Sequence, residues 1–199
     1  MGYAFAYCQT MMDIGGNGKE LDRLNFTSVT FYAFGKPQDV LIVENKILTA
    51  PAPGEILVRM LASPVNPSDL IPVRGSYSHR ISLPAVPGYE GIGIVEDVGS
   101  GVSTDMIGKR VLPLRGEGTW QDYVISPAQY AITVPGTVDD DTAAQLYINP
   151  LTAWLICTET LGLQPNDVVL VNACGSAIGR IFAQLSQIFG CSAHCRYQK

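Results

Sequence analysis

Between Phe26 and Val138 the apolar residues come in short runs, each closed by glycine, proline or a charged side chain. No stretch there sustains a helical period over several turns, and this limits the region to short strands and loops. SVTFYAF and DVLIVENKIL are rich in β-branched and aromatic residues and are separated by GKPQ, so they read as two paired strands. EILVRMLASPV is a third strand, after which Pro64 and Pro67 end regular pairing. PSDLIPVRGSY reads as one helical turn followed by a loop, and GIGIVEDVG, GKRVLPL and TWQDYVIS as further strands. Short strands at close spacing, with glycine and proline between them, predict an antiparallel, barrel-like domain over residues 26–138.

After Asp139 the period changes. Asp139–Asp141 can cap and charge a helix N-terminus, and TAAQLYIN is the helix expected behind them. Pro150 is expected to open the next helix, LTAWLICTETLG. DVVLVNA reads as a buried strand. SAIGRIFAQLSQIFG reads as a helix with Ile178, Ile181, Phe182, Leu185, Ile188 and Phe189 on one apolar face. Strand, turn and helix over 167–190 make the opening of an α/β cofactor domain. The fold class is therefore α/β plus β.

Composition narrows the partners. The net charge is -5 and the 13 basic residues are scattered, so nucleic acid is not an expected partner. No apolar run reaches the ~18 residues of a membrane-spanning helix, and no membrane association is expected. Residues 1–25 are expected to be a loose leader; they lack the pattern of a secretory signal and are not Arg-rich, which favours the cytoplasm over a mitochondrial address. The five cysteines, at positions 8, 157, 174, 191 and 195, are odd in number and are expected as free thiols in a reducing compartment.

Three places bear on chemistry. In NACGSAIG, small residues let a pyrophosphate approach the backbone at a helix N-terminus. Cys174, Ser176 and Gly179 occupy the three glycine positions of the dinucleotide fingerprint, and only Gly179 is a glycine. An ordinary βα turn is the alternative, and the motif by itself does not choose. In NPSDLIPVRGSYSHR, a tyrosine hydroxyl held in a pocket can donate a proton, but taken alone Tyr77 reads as a surface-loop aromatic and His79 as a solvated imidazole. In PGYEG, Tyr89 stands where a zinc site would need an imidazole, and no CxxC pair follows in the barrel region. No metal is expected there, nor at Cys191, His194 and Cys195, whose spacing matches no common zinc motif.

Taken in order, YAFGKPQDVL, PGEILVRMLASPVNPSDL, VPGYEGIGIVEDVGSGV, GKRVLPL, GTWQDYV, NPLTAW and NACGSAIG resemble the medium-chain dehydrogenase/reductase superfamily from about Phe26 to Gly190. NPSD, GSY, GTW, NPLTA and NACGSAIG resemble its zinc-independent branch, above all the mitochondrial-type 2-enoyl thioester reductases, with quinone oxidoreductases as the second match. The resemblance implies a GroES-like barrel followed by an incomplete Rossmann start. It implies hydride transfer from NADPH to a small-molecule substrate, an enoyl thioester or a quinone. Tyr77 falls on the family's proton donor, and Asn149 on its nicotinamide-side contact. Gly175, Ser176, Ala177, Ile178 and Gly179 fall on its pyrophosphate turn, while Trp120 would line the substrate pocket. Asn66 and Asp69 would shape the loop that positions Tyr77. A homodimer is compatible with the family.

The ending departs from that pattern. Residues 139–190 would hold the linking helices and the first βα unit, and 191–199 would be an aberrant tail without a second strand. Only Arg196 there could meet a 2′-phosphate. The expectation is a truncated or frame-shifted product that is weakly active or inactive. The opposing expectation is a non-catalytic barrel fragment that self-associates through an uncovered apolar face.

Overall fold

The computed structural model describes residues 25–196. The leader expected at 1–25 falls, apart from Asn25, outside the described residues, as do the last three residues of the expected tail. The chain divides into two compact units, one ending at Ala144 and the other beginning at Gln145.

Among the described residues the first unit has seven strands: β1 (Asn25–Phe31), β2 (Leu41–Ile47), β3 (Glu55–Ala62), β4 (Ile92–Val98), β5 (Arg110–Pro113), β6 (Tyr123–Pro127) and β7 (Ala131–Thr133). β1 and β2 pair antiparallel, with Phe31 opposite Leu41, and a single helical turn, α1 (Pro37–Val40), joins them. The other five form an antiparallel sheet in the order β6-β3-β4-β5-β7. β3 lies inside it and is buried on both faces. Ile56, Val58 and Met60 meet Val95, Val111 and Val124, while Leu57 on the opposite face meets Phe26 and Leu48. Double burial explains why EILVRML reads as a nearly continuous apolar run instead of a strict alternation. Bridges from Ser28 to Gln121 and from Phe31 to Ala85 carry β1 towards the loops beside the larger sheet. β7 has three residues, too few for a period to show, and the sequence reading does not separate it from its flanks.

The helical expectations need correction. Asp139 does cap a helix, accepting the Thr142 N–H at 2.8 Å, but that helix, α3 (Asp140–Ala143), is a single turn. The next helix, α4, runs Ile148–Leu155, so it starts before Pro150. Proline is tolerated at its third position because the first-turn N–H groups have no intrahelical acceptor in any case. The helix then widens into a π-helical stretch, Ile156–Thr160.

In the second unit α4 is followed by β8 (Val168–Asn172), α5 (Ala177–Ile188) and β9 (Ser192–Arg196). Ala153 and Cys157 pack with Leu185, flanked by Ile178, Ile181, Phe182 and Phe189. Ile188 does not join its predicted face: it is 72% exposed at the helix end. β9 corrects one part of the expectation for residues 191–199, the lack of a second strand. Ser192–Arg196 pairs in parallel with β8, Val168 opposite Ser192 and Asn172 opposite Arg196. Its small polar residues carry little strand propensity, but a main-chain ladder does not need it. The same pairing overturns the expectation of five free thiols. It brings Cys195 beside Cys174, and the two form a disulfide with their Cα atoms 5.4 Å apart.

Candidate active site

In the first unit the chain following β3 turns at Pro64 into Asn66-Pro67-Ser68-Asp69 and then a short helix, α2 (Leu70–Val73). Asn66 caps this turn reciprocally with Asp69, whose Oδ2 accepts the Asn66 N–H at 2.7 Å. The other oxygen, Oδ1, accepts the Tyr89 N–H from the PGYEG loop at 3.2 Å. The side-chain amide of Asn66 donates to Glu90 Oε1 at 2.8 Å. Asp69 and Glu90 are 1% and 2% exposed, so Asn66 bridges two buried carboxylates. Burial pushes the Asp69 carboxyl up to about 6; the N–H groups of Asn66 and Tyr89 oppose the shift, and the Glu90 charge adds to it.

This knot fastens the loop that carries Tyr77. The chain leaves α2 through Gly75 and presents Tyr77 half-exposed, ahead of a 3-10 turn at Ser78–Arg80 whose Arg80 N–H returns to the Tyr77 carbonyl at 2.9 Å. Tyr89 is also exposed, and its phenol is pushed up by partial burial, then by the Asp69 charge and by Tyr77. Tyr89 therefore sits near the buried Asp69 carboxylate, with Tyr77 of a second loop among its neighbours. Trp120 ties two of these loops: its Nε1 donates to the Pro64 carbonyl at 3.2 Å, and its main-chain N–H donates to the Pro87 carbonyl at 3.1 Å. Thr119 Oγ1 donates to the Glu90 carbonyl at 2.8 Å and closes the knot.

Sequence reasoning missed Glu90 as a member of this cluster and took Tyr89 only as an argument against zinc. A signal was available: a lone glutamate between glycines in an otherwise apolar stretch, VPGYEGIGIV, is a charge that must be buried with a partner.

In the second unit, β8 leads through Ala173, at φ 52°, into the turn. Ser176 caps α5, its Oγ accepting the Gly179 N–H at 3.1 Å. A Cβ on Gly179 would stand 2.6 Å from the Ala173 carbonyl oxygen and 2.8 Å from Cys174 Cα, so glycine is what lets helix and strand close up. Ala177 and Ile178, in the first turn of α5, have N–H groups without acceptors inside the helix. Gly175 and Ser176 are exposed ahead of them. A turn of small residues feeding a twelve-residue helix fits a pyrophosphate. Asn149 is half-buried, the second residue of α4. Among the described residues no group of three His, Cys, Asp or Glu side chains is placed to hold a metal ion. No helix among them is long and apolar enough to cross a membrane.

Residues 52–136 match the family model of the alcohol dehydrogenase GroES-like domain. The mitochondrial enoyl-[acyl-carrier-protein] reductase of Xenopus tropicalis is 36% identical over 157 residues, 78% of this chain and 45% of that protein. The human counterpart is likewise 36% identical, over 78% of this chain and 42% of its own length. Among solved structures, a Bacillus thuringiensis protein assigned as an NADPH:quinone reductase is 60% identical with TM-score 0.83, covering 86% of this chain and 52% of that one. The Etr1p/NADP/crotonyl-CoA complex is 27% identical with TM-score 0.78, covering 88% and 55%. Residues 52–136 thus carry the GroES-like domain, and over most of its length the chain is similar to enoyl and quinone reductases of the medium-chain dehydrogenase/reductase superfamily. It spans about half the length of these relatives.

Proposed function

We propose that this chain carries the substrate loop and the pyrophosphate turn of an NADPH-dependent reductase that works without zinc. The observation that carries the reading is the elbow at 174–179, where Ser176 caps the helix and Gly179 permits close packing. Gly175, Ser176, Ala177 and Ile178 would hold the pyrophosphate, and Asn149 would bear on the nicotinamide side. Arg196, exposed at the end of β9, is the candidate partner for a 2′-phosphate. NADPH, when bound, supplies the hydride. Tyr77 gives its hydroxyl proton to Cα of an enoyl thioester as Cβ is reduced, and regains a proton from solvent. Trp120 borders the acyl group.

A quinone is the second substrate reading, favoured by the 60% identity to the Bacillus thuringiensis protein. The competing class is a non-catalytic module that self-associates. Val168 and Leu170 on β8 are 67% and 70% exposed, an apolar face that a homodimer would cover.

Titration of the purified chain with NADPH, followed by nicotinamide fluorescence, tests the reading. Binding should be seen, with turnover of crotonyl thioester exceeding that of a quinone. Tyr77→Phe should lower thioester turnover by about a hundredfold or more. Absence of binding at millimolar NADPH discards the reductase reading in favour of the module. Subcellular fractionation decides between the cytoplasm, the compartment proposed here, and the mitochondrion of the named relatives.

A further inference from the structure

The knot ahead of α2 does more than shape one loop. Asp69 accepts from two main-chain N–H groups that lie on different loops, Asn66 at 2.7 Å and Tyr89 at 3.2 Å. Asn66 in turn reaches Glu90, the neighbour of Tyr89, at 2.8 Å. The loop bearing Tyr77 and the loop bearing Tyr89 are thus tied twice through one pair of buried side chains. Both phenols are exposed, and Tyr77 adds to the upward push on the Tyr89 phenol, whereas the Asp69 and Glu90 carboxylates that make the ties are buried.

We propose that Asp69 is a positioning residue that latches the Tyr77 loop to the Tyr89 loop, with Glu90 joined through Asn66, so that the two phenols are placed as one unit. An ionised Asp69 can accept both N–H groups. Protonation removes charge from both contacts and weakens the grip on each loop together. Glu90 and Tyr89 face Asp69 across the knot, and Tyr77 faces Tyr89; His79 and Arg80 follow Tyr77 on its own loop and hydrogen-bond to each other at 3.0 Å. The inference deepens the reading above and rests on it only for its catalytic consequence: Tyr89 would be a second hydroxyl presented beside the proton donor.

The test is a pH titration of the full chain with 13C-labelled tyrosine rings, in a His79→Gln background that removes the imidazole of that loop. Tyr77→Phe and Tyr89→Phe assign the two signals. The latch predicts that both ring signals move along one curve with one shared midpoint, while those of Tyr123 and Tyr130 do not follow it. Asp69→Asn should abolish the shared curve. Should Asp69→Asn fail to fold, Glu90→Gln serves instead: with a neighbouring negative charge gone, the shared midpoint should fall by about half a pH unit or more. Independent movement of the two signals overturns the latch, as does a midpoint that survives Asp69→Asn or fails to fall in Glu90→Gln. Turnover is not read, so a chain that binds no NADPH but shows the joint curve keeps the latch and loses the reductase.

Discussion

A β-carbon on Gly88 would stand 2.5 Å from Cδ1 of Trp120. The same carbon would lie 2.4 Å from Thr119 Oγ1, which is committed to the Glu90 carbonyl. Gly88 also has φ 99°, a left-handed conformation in which a side chain is strained whatever the space. Gly88→Ala should therefore destabilise the first unit by about 3 kcal/mol, from backbone strain and overpacking together. Urea unfolding followed by tryptophan fluorescence measures it; a loss below about 1 kcal/mol, the central value for ordinary substitutions, would mean that the indole yields freely.

The second unit offers a contrast between a cap and a packing glycine. Ser176→Ala removes one acceptor from the first turn of α5 and should cost about 1 kcal/mol. Gly179→Ala meets main chain, the Ala173 carbonyl oxygen at 2.6 Å, which cannot move aside as a side chain can. It should cost more than Ser176→Ala and spread the elbow. Amide hydrogen exchange across Ala177–Ile188 reads both: faster exchange confined to the first turn for Ser176→Ala, and along the whole helix for Gly179→Ala.

Local texture made much of this architecture legible. The β3 run, the capping Asp139 and the apolar stripe of α5 all follow from residues within a turn or two of one another. What the sequence hid depends on distant pairing. β9 is a strand because β8 offers it a ladder, and SAHCR has no intrinsic reason to extend. The Cys174–Cys195 link follows from that register and not from any spacing rule. In the candidate site, only the family resemblance singles out Tyr77 and Asp69, because neither stands out from its local residues alone. The tie to Tyr89 and Glu90 joins residues 20 and 24 positions apart, and only folding brings them together.

Asp69 should leave a mark on stability against pH. Burial raises its folded-state value from 3.8 to about 6, so between those limits the folded chain holds a proton that the unfolded chain has released. Its contribution is full below 3.8 and is lost as pH rises through about 6. Asp69→Asn has no such proton to lose. The stability difference, wild type minus variant, should therefore fall as pH rises through that window and level off above it. Urea titrations at a series of pH values check the sign, and a difference that grows with pH would refute the assignment.

Cys157 and Cys191 provide a chemical probe of the second unit. Cys157 is 1% exposed against Leu185, and burial, then the neighbouring Cys191, pushes its thiol up. Cys191 is half-buried, its Sγ donating to the Gln164 carbonyl at 3.2 Å. Alkylation consumes the thiolate and needs access, and both conditions disfavour Cys157. Under native conditions iodoacetamide should label Cys191 faster by about tenfold or more, and the two rates should converge in denaturant. Mass spectrometry of timed digests gives both rates. Equal native rates would mean that α5 does not cover α4 as described, because Leu185 is what shields Cys157 from the reagent.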